Sequence, residues 1–446
     1  MYPTFDEIRE MAAAGTYKRI PVCKELYADS YTPVEMMRIL HKASHHCYLL
    51  ESASQNEVWG RYSFLGYDPS MEITCTDGTL RIRRTKEAME AGKNGTDSSV
   101  EEIRQVTHPG DAIREIIEKY KSPVMENMPA FTGGLVGYFS YDYIKYSEPK
   151  LKLTSEGQQD FRDMDLMLFN EVIAFDHYRQ KIMLITGVMT EDIEGSYQKA
   201  EETLEDMAKL IREGEKENFP TLQLKTEIEP VFPKEQYCNM VEKAKQYIRE
   251  GDIFQVVLSD PMKAEAEGSL FDTYRVLRAA NPSPYMFYFS SDDIELSGAS
   301  PETLAKLDNG KLSTFPLAGT RPRGKTPDDD KALEEDLLQD EKELAEHNML
   351  VDLGRNDIGK ISRIGTVKVE KYMEIERFSH VMHIGSTVTG TIREDKDAVD
   401  AVDAILPAGT LSGAPKFRAC QIIDQLENNK RGVYGGAIGY LDFAGN

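Results

Sequence analysis

The chain has 446 residues, of which 40% are hydrophobic and 29% charged, and these fractions exclude collagen-like, coiled-coil and wholly disordered classes. At about 150 residues per domain, the length predicts two or three domains, or one large domain with an extension. The formal net charge of −23 argues against binding to nucleic acid or to an anionic membrane surface. An anionic substrate would therefore need local help from arginine, lysine or a metal ion.

The cysteines and the start of the chain indicate a reducing compartment. Five cysteines are too few and too scattered for a disulfide framework or a CxxC zinc site. No apolar run approaches the roughly 18 residues of a spanning helix, and MYPTFDEIRE lacks the basic-then-apolar order of a signal peptide. The expected location is the cytoplasm.

The first half of the chain mixes helical and strand patterns. PVEMMRILHKA (33–43) predicts a helix, and CYLLES (47–52), MEITC (71–75) and LRIRR (80–84) predict strands. Residues 85–105 are poor in apolar side chains and rich in Gly, Asn, Asp and Ser, which predicts an exposed loop. Apolar runs then return.

The apolar run at 164–188 predicts two strands joined by a turn at 176–179. A charged helix within 197–220 follows, with an apolar stripe at Ala200, Leu204, Met207, Leu210 and Ile211. A polar linker leads to a second helix at 234–252, capped by Gly251. The compact run IFQVVLS (253–259) then reads as β-rich.

The second half continues with strands and one long helical pattern. The pattern begins at Pro327 and runs with interruptions to Gly354, and strands resume at 367–375 and 380–392. Helices and strands alternate without a regular βαβ rhythm, so the sequence predicts a layered α+β fold. We divide it into an N-terminal region (1–195), a charged helix with linker (196–232) and a C-terminal region (233–446).

Three polar side chains share one face of the predicted helix at 327–354. Glu343, Glu346 and His347 stand at positions i, i+3 and i+4. Two carboxylates on one rigid face can hold Mg²⁺, or divide into one ligand and one proton donor. The alternative is a solvated acidic face with an exposed histidine.

The pair His380 and His383 invites a metal-site interpretation that strand geometry excludes. Side chains alternate along a strand, so His380 shares a face with Met382 while His383 faces the other way. His383 is the better candidate to face a polar site. A structural histidine is the alternative.

Four glycine-rich turns stand out: GGLVGY (133–138), PLAGTRPRG (316–324), GTLSGAPK (409–416) and YGGAIGY (434–440). None has the spacing of a P-loop or a dinucleotide fingerprint. They place backbone N–H groups beside hydroxyls, an arrangement that suits a carboxylate ligand, although such turns are often purely structural. No nucleophile elbow or HExxH motif is present.

These turns, with DEKELAEHNMLVDLGRND (340–357), FSHVMH (378–383), LLES (49–52) and NPSPYMFY (281–288), resemble the chorismate-utilising enzyme family, and specifically its anthranilate synthase component I branch. The resemblance covers nearly the whole chain. It implies a large α+β domain of two packed, mainly antiparallel sheets flanked by helices. It also implies that chorismate and ammonia react to anthranilate and pyruvate, with ammonia supplied from glutamine by an amidotransferase subunit, as the first step of tryptophan biosynthesis.

Two positions distinguish the branches of the family. Where aminodeoxychorismate synthases usually carry a nucleophilic lysine, this chain has Ala318, and where isochorismate and salicylate synthases carry a water-activating lysine, it has Gln255. Neither side chain can take that role. Both departures favour ammonia as the nucleophile, with the other two activities as alternatives.

The resemblance also implies roles for individual residues. Glu346 would bind Mg²⁺ and Glu343 would act as the acid. His383 and Thr410 would line the substrate ring and serve the elimination of pyruvate. The substrate would be positioned by Gly319, Thr320 and Tyr434.

The branch is usually inhibited by tryptophan, and the matching residues are Glu51, Ser52, Pro284, Tyr285, Met286 and Tyr440. Polar groups could take the amino-acid head while the aromatic and methionine side chains pack on the indole. The alternative is two ordinary core strands.

In the family, further segments follow the motif that ends here at Asn446: a strand with a substrate-gripping arginine, a Gly-x-Gly turn and a glutamate that is the second Mg²⁺ ligand. None is in this sequence. We therefore also consider the alternative that the chain is a non-catalytic module that binds tryptophan or the partner subunit.

Overall fold

The computed structural model describes residues 1–52, 60–84, 101–155, 161–378 and 380–446. The helices in this part of the chain are α1 (Phe5–Ala13), α2 (Pro33–Ala43), α3 (Gly110–Lys119), α4 (Ile144–Ser147), α5 (Ile193–Glu213), α6 (Lys234–Glu250), α7 (Phe271–Ala280), α8 (Pro327–Gln339), α9 (Glu341–Gly359), α10 (Ala398–Ile405) and α11 (Lys416–Glu427). Within these ranges no helix is both long and apolar enough to cross a membrane.

The strands of the first half are β1 (Arg19–Tyr27), β2 (Cys47–Glu51), β3 (Tyr62–Tyr67), β4 (Met71–Thr76), β5 (Thr79–Arg84), β6 (Glu101–Gln105), β7 (Gly134–Phe139), β8 (Met164–Phe169), β9 (Val172–Asp176) and β10 (Lys181–Met189). Those that follow are β11 (Gln223–Leu224), β12 (Glu229–Pro230), β13 (Gln255–Val256), β14 (Met262–Lys263), β15 (Ala266–Glu267), β16 (Tyr285–Ser290), β17 (Glu295–Ser300), β18 (Lys306–Asp308), β19 (Lys311–Thr314), β20 (Leu317–Pro322), β21 (Lys368–Arg377), β22 (Val381–Thr391), β23 (Gly413–Ala414) and β24 (Ala437–Asp442).

Capping residues explain where the predicted helices begin and end. The Thr32 side chain accepts the N–H of Glu35 at 3.2 Å, directly before Pro33 starts α2. Gly251 has φ +84° and ends α6 in the left-handed region that glycine tolerates. The long helical pattern from Pro327 is two helices, because Asp340 leaves helical geometry and caps α9.

Two antiparallel sheets pack face to face. One has the order β1-β10-β9-β3-β2-β16-β17 and the other β24-β7-β8-β4-β5-β6. Their inner faces meet through buried side chains such as Tyr48 and Phe289 from the first sheet and Val136 and Met167 from the second. Helices α2, α5 and α7 cover the outer face of the first sheet, and α3 and α10 that of the second. The predicted layered α+β fold is confirmed.

A third sheet has the order β18-β19-β22-β20, with β21 also pairing with β22. Helix α8 packs on it where Leu337 meets Met382 and Ile384. Helix α9 packs farther along, where Val351 and Ile358 join the same buried cluster as Leu312 and Val388. This sheet and α9 carry most of the predicted active-site residues.

Three local expectations differ from the structure. Residues 101–105 form strand β6 and not a loop, while 85–100 lie outside the described residues. The run at 164–176 holds two strands, β8 and β9, that belong to different sheets. Both are buried throughout, so no alternation of polar residues marks the break. Of the run IFQVVLS, Gln255 and Val256 alone form a strand.

The predicted regions share their sheets. Strands β16 and β17, from the 233–446 region, complete the first sheet, and β24 completes the second. The division at 195 and 232 stays a prediction about sequence organisation.

The glycine motif GGLVGY reflects a close approach between backbones. A β-carbon on Gly137 would lie 2.0 Å from the carbonyl oxygen of Asp165 on β8. Gly439 pairs directly with Gly137 across β24, yet a β-carbon there would meet nothing within 4 Å. The two paired glycines thus have opposite steric demands.

We expect Gly137→Ala to reduce the free energy of unfolding by about 2 kcal/mol, because the β7 and β8 backbones must separate to admit the methyl group. Gly439→Ala is the matched control and should change it by less than about 0.5 kcal/mol. Equilibrium urea unfolding measures both. Equal losses in the two variants would contradict the steric explanation.

Candidate functional site

Helix α9 is fixed against the third sheet by a buried histidine. His347 is fully buried and its Nε2 lies 2.7 Å from the hydroxyl of Ser386 on β22. Burial lowers the pKa of His347 to about 4, so its ring is neutral at physiological pH. The sequence alternative of an exposed histidine on a solvated helix face is therefore wrong for His347. The contact with Ser386 holds the helix face that carries Glu343 and Glu346.

Both glutamates are partly buried, and their partners differ. An Oε1 atom of Glu346 accepts a hydrogen bond from Nε2 of Gln255 at 2.8 Å. The N–H of Glu343 donates to the Asp340 carboxylate at 3.2 Å, which is the cap of α9. Glu346 is therefore the carboxylate that a side chain from another part of the chain orients.

His383 lies beside the turn of PLAGTRPRG. Strand β20 bulges between Ala318 and Thr320, with Gly319 at φ +78°. His383 Nδ1 lies 3.1 Å from the Gly319 carbonyl oxygen and 3.0 Å from Thr320 Oγ1. Because a carbonyl oxygen can only accept, we assign the ring proton to Nδ1, which leaves Nε2 free as an acceptor. Burial lowers the pKa of His383 and keeps the ring neutral.

Thr410 contacts a carboxylate that the sequence analysis did not single out. Its hydroxyl lies 2.9 Å from both carboxylate oxygens of Glu302, just beyond the end of β17. Burial raises the pKa of Glu302 to about 7, and the Thr410 hydrogen bond opposes that rise. A glutamate of this kind can hold a proton near neutral pH. Its one sequence signal is an acidic residue inside the otherwise uncharged run 296–305.

A buried arginine holds the Gly409–Leu411 turn that carries Thr410. Buried Arg431 donates from Nη1 to the Leu411 carbonyl at 2.7 Å, and its guanidinium lies 5.7 Å from the ring centre of Tyr434. Tyr434 itself is 46% exposed. Farther along, Lys416 makes a 2.6 Å ion pair with Asp357 on α9, so the lysine of GTLSGAPK has a structural partner.

These contacts join the predicted residues into three groups: Glu346 with Gln255, His383 with Gly319 and Thr320, and Thr410 with Glu302. Strand β13, which carries Gln255, pairs with β23 just after the Thr410 turn. Helix α9 packs on both β20 and the turn at 409–411. The groups are thus built on elements that contact one another.

The donor set is compatible with a partial magnesium site. No group of three or more His, Cys, Asp or Glu side chains positioned for a metal ion occurs among the described residues. Mg²⁺ is commonly held by one or two carboxylates with water and substrate oxygens. Glu346 fits this description, because Gln255 fixes one of its oxygens and the other has no protein donor in the described ranges.

The six predicted tryptophan-binding residues lie around the β2–β16 pairing. Glu51 pairs in register with Met286 and accepts hydrogen bonds from Tyr274 and from Arg278 on α7. Side-chain alternation puts Glu51 and Met286 on the helix-covered face of the sheet.

The other members of this set are placed differently. Tyr440 belongs to the space between the two large sheets, where its ring lies 4.4 Å from Phe131, and the Tyr285 hydroxyl contacts that of Thr303. Pro284 directly precedes β16 and Ser52 directly follows β2. The set therefore gathers at one end of the sheet, with members on both of its faces.

Residues 45–446 match the family model of chorismate binding enzymes. Anthranilate synthase component 1 from Acetivibrio thermocellus is 45% identical, covering 100% of this chain and 88% of the relative. The corresponding protein from Aquifex aeolicus is 42% identical, covering 99% of this chain and 87% of the relative. The family resemblance predicted from the motifs is thereby confirmed.

Two solved structures are similar. Anthranilate synthase component I from Streptococcus pneumoniae has a TM-score of 0.73 at 39% identity, covering 86% of this chain and 81% of that chain. The menaquinone-specific isochorismate synthase from Escherichia coli shares the fold, with a TM-score of 0.64 at 16% identity over 99% of this chain and 87% of that chain. The chain belongs to the chorismate binding enzyme family, and its nearer relatives among these are anthranilate synthase component I proteins.

We expect Thr410→Val to raise the pKa of the Glu302 carboxyl further, because the hydroxyl that stabilises the charged form is removed. Thr410→Ser keeps the donor and should leave the pKa near that of the unaltered protein. Carbon-13 NMR titration of labelled glutamate side chains measures the shift. A lowered pKa in Thr410→Val would show that the hydrogen bond does not stabilise the carboxylate.

Proposed function

We propose that this chain converts chorismate and ammonia into anthranilate, pyruvate and water. The observation that carries this proposal is the pairing of Thr410 with Glu302, whose pKa of about 7 suits a proton donor, on the fold of this family. The names of the relatives in the family support the same reaction.

Glu302 is the residue that we propose as the acid. Its protonated carboxyl donates to the C4 hydroxyl of chorismate, which leaves as water while ammonia forms a bond at C2. General acid catalysis typically contributes about 10² to 10⁴ in rate. Glu343, which the resemblance assigns to this role, remains the competing candidate.

His383 is proposed as the base of the second step. Its neutral Nε2 accepts the proton that C2 loses as the C3–O bond breaks, and the released enolpyruvate takes up a proton on its methylene carbon to become pyruvate. The Gly319 carbonyl favours this tautomer and stabilises the imidazolium that results. Thr320, Gly319 and the exposed ring of Tyr434 line the approach of the substrate.

Glu346 is proposed as a ligand of Mg²⁺, oriented by Gln255. When bound, the ion would offset the negative charge of the substrate carboxylate, which a protein of net charge −23 otherwise repels. Because Gln255 and Ala318 provide neither a base nor a nucleophile, ammonia is the nucleophile. An amidotransferase subunit that releases ammonia from glutamine is the partner this chemistry requires.

The test is anthranilate fluorescence from the purified chain with chorismate, Mg²⁺ and a high concentration of ammonia, which bypasses the partner. We expect product, with kcat falling above about pH 7 as Glu302 loses its proton. Glu302→Gln should lower kcat by about 10² to 10⁴ and abolish that limb of the pH profile. In Glu346→Ala, the rate of anthranilate formation should no longer respond to added Mg²⁺.

The controls separate the alternatives. A large loss in Glu343→Gln together with normal turnover in Glu302→Gln would transfer the acid role to Glu343. Folded protein that forms no anthranilate would contradict the synthase proposal, and 2-hydroxylated or aminodeoxychorismate products would assign another branch of the family.

Tryptophan is the proposed inhibitor of the same chain. Support comes from the register of β2 with β16, which brings the LLES and SPYM motifs side by side. Tyr285 and Tyr440 supply aromatic surface near the same sheet end. A carboxylate and aromatic rings suited to an amino acid therefore stand at one end of the sheet, on its opposite faces.

We expect Ser52→Phe to weaken tryptophan binding at least about tenfold, because the ring would occupy space beside the amino-acid head. Isothermal titration calorimetry with L-tryptophan measures the affinity. Anthranilate formation without tryptophan should stay within about twofold of the unaltered chain, since Ser52 lies outside the catalytic groups. Unchanged tryptophan affinity would remove Ser52 from the proposed site.

A further inference from the structure

A cavity of 520 Å³ lies on the helix-covered face of the seven-stranded sheet, and none of the proposed catalytic groups lines it. Its walls come from the start of α2, the turn between β9 and β10, and α7. Ligand pockets in proteins typically measure about 300 to 1,000 Å³. The cavity is therefore large enough for a small organic molecule.

Two arginines of α7 line this cavity with unused hydrogen-bond donors. Arg278 donates from Nε to Glu51 at 2.6 Å, and its two terminal nitrogens have no acceptor among the described residues. Arg275 uses one terminal nitrogen to reach Asp272 at 2.8 Å. A guanidinium has five N–H donors, so most of those on both side chains are available to a ligand.

The acidic side chain in the wall has a cation of its own. Asp176 is paired with Arg61 at 2.8 Å and also accepts the backbone N–H groups of Tyr178 and Arg179. Those donors hold the pKa of Asp176 below its usual range despite its burial. Each cation at the cavity therefore has a carboxylate neighbour, and what the wall offers to a ligand is the unused N–H donors of Arg275 and Arg278.

The rest of the wall is partly apolar. Tyr31, Val34 and Phe175 face the cavity opposite or beside the arginines. A bare inorganic ion would leave this surface in contact with water, whereas an aromatic or aliphatic body would cover it. Planar guanidinium groups match a carboxylate in a bidentate arrangement.

We propose that this cavity is a binding site for a small aryl or alkyl carboxylate, with its head on Arg275 and Arg278 and its body on the apolar wall. The site is separate from the chorismate site and goes beyond the proposed function. It is also distinct from the space between the sheets that holds Tyr440. Arg278 connects it to Glu51.

The test is a fluorine NMR titration of 4-fluorobenzoate with the full chain. We expect saturable broadening and a shift of the probe signal. Arg275→Gln removes an exposed cation from the wall, and Ala28→Phe fills part of the cavity, so each should weaken binding about tenfold. Arg355→Gln is the matched control, because Arg355 makes the same i,i+3 pair with an aspartate at 2.8 Å outside the cavity. The affinity of the Arg355→Gln variant for 4-fluorobenzoate should equal that of the unaltered chain.

Several outcomes would overturn the proposal. Affinity that persists in both Arg275→Gln and Ala28→Phe, with native circular dichroism spectra, would put the probe elsewhere, including the chorismate site. Equal binding of neutral 4-fluorobenzamide would exclude a role for the arginines. Competition by tryptophan would make the cavity part of the tryptophan site, and no binding up to about 10 mM probe would leave no site at all. None of these readouts depends on catalysis.

Discussion

The pairing of β2 with β16, and of β7 with β24, is the constraint on which the rest of the molecule depends. In each pair a strand from the first third of the chain receives a partner from far along the sequence. The sheets that these pairings complete end near residues for which we propose a function. Glu302 lies two residues after β17, and Tyr434 lies three residues before β24. Sheet register therefore decides where these side chains stand.

The third sheet and α9 form the other half of the site, and buried polar contacts hold them in place. The neutral ring of His347 bonds Ser386 without adding charge beside Glu346. The Lys416–Asp357 ion pair joins α11 to α9 at the far end of the same helix. Both contacts join side chains from different elements, which favours one relative placement of helix and turn.

Local signals in the sequence were sufficient for much of this architecture. Thr32 with Pro33 marks the start of α2, and Gly251 marks the end of α6, because capping depends on neighbouring residues. Buried strands such as β8 and β9 have no alternation of polar and apolar residues, so the sequence could not predict that they belong to two different sheets. Glu302 was missed for a related reason: its partner Thr410 is remote in sequence. The resemblance supplied the residue types of the site, whereas the contacts among them required the fold.

The long-range strand pairing also has a consequence for synthesis on the ribosome. At roughly 5 to 20 residues per second, the interval between β2 and β16 lasts on the order of tens of seconds. During this interval, strand β2 (CYLLE, 47–51) can pair with β3 along one edge, while its other edge has no partner strand yet. Open apolar edges recruit strands from other chains. The nascent polypeptide is thus more exposed to aggregation than the finished protein, and a chaperone that covers this edge would act before residue 285 emerges.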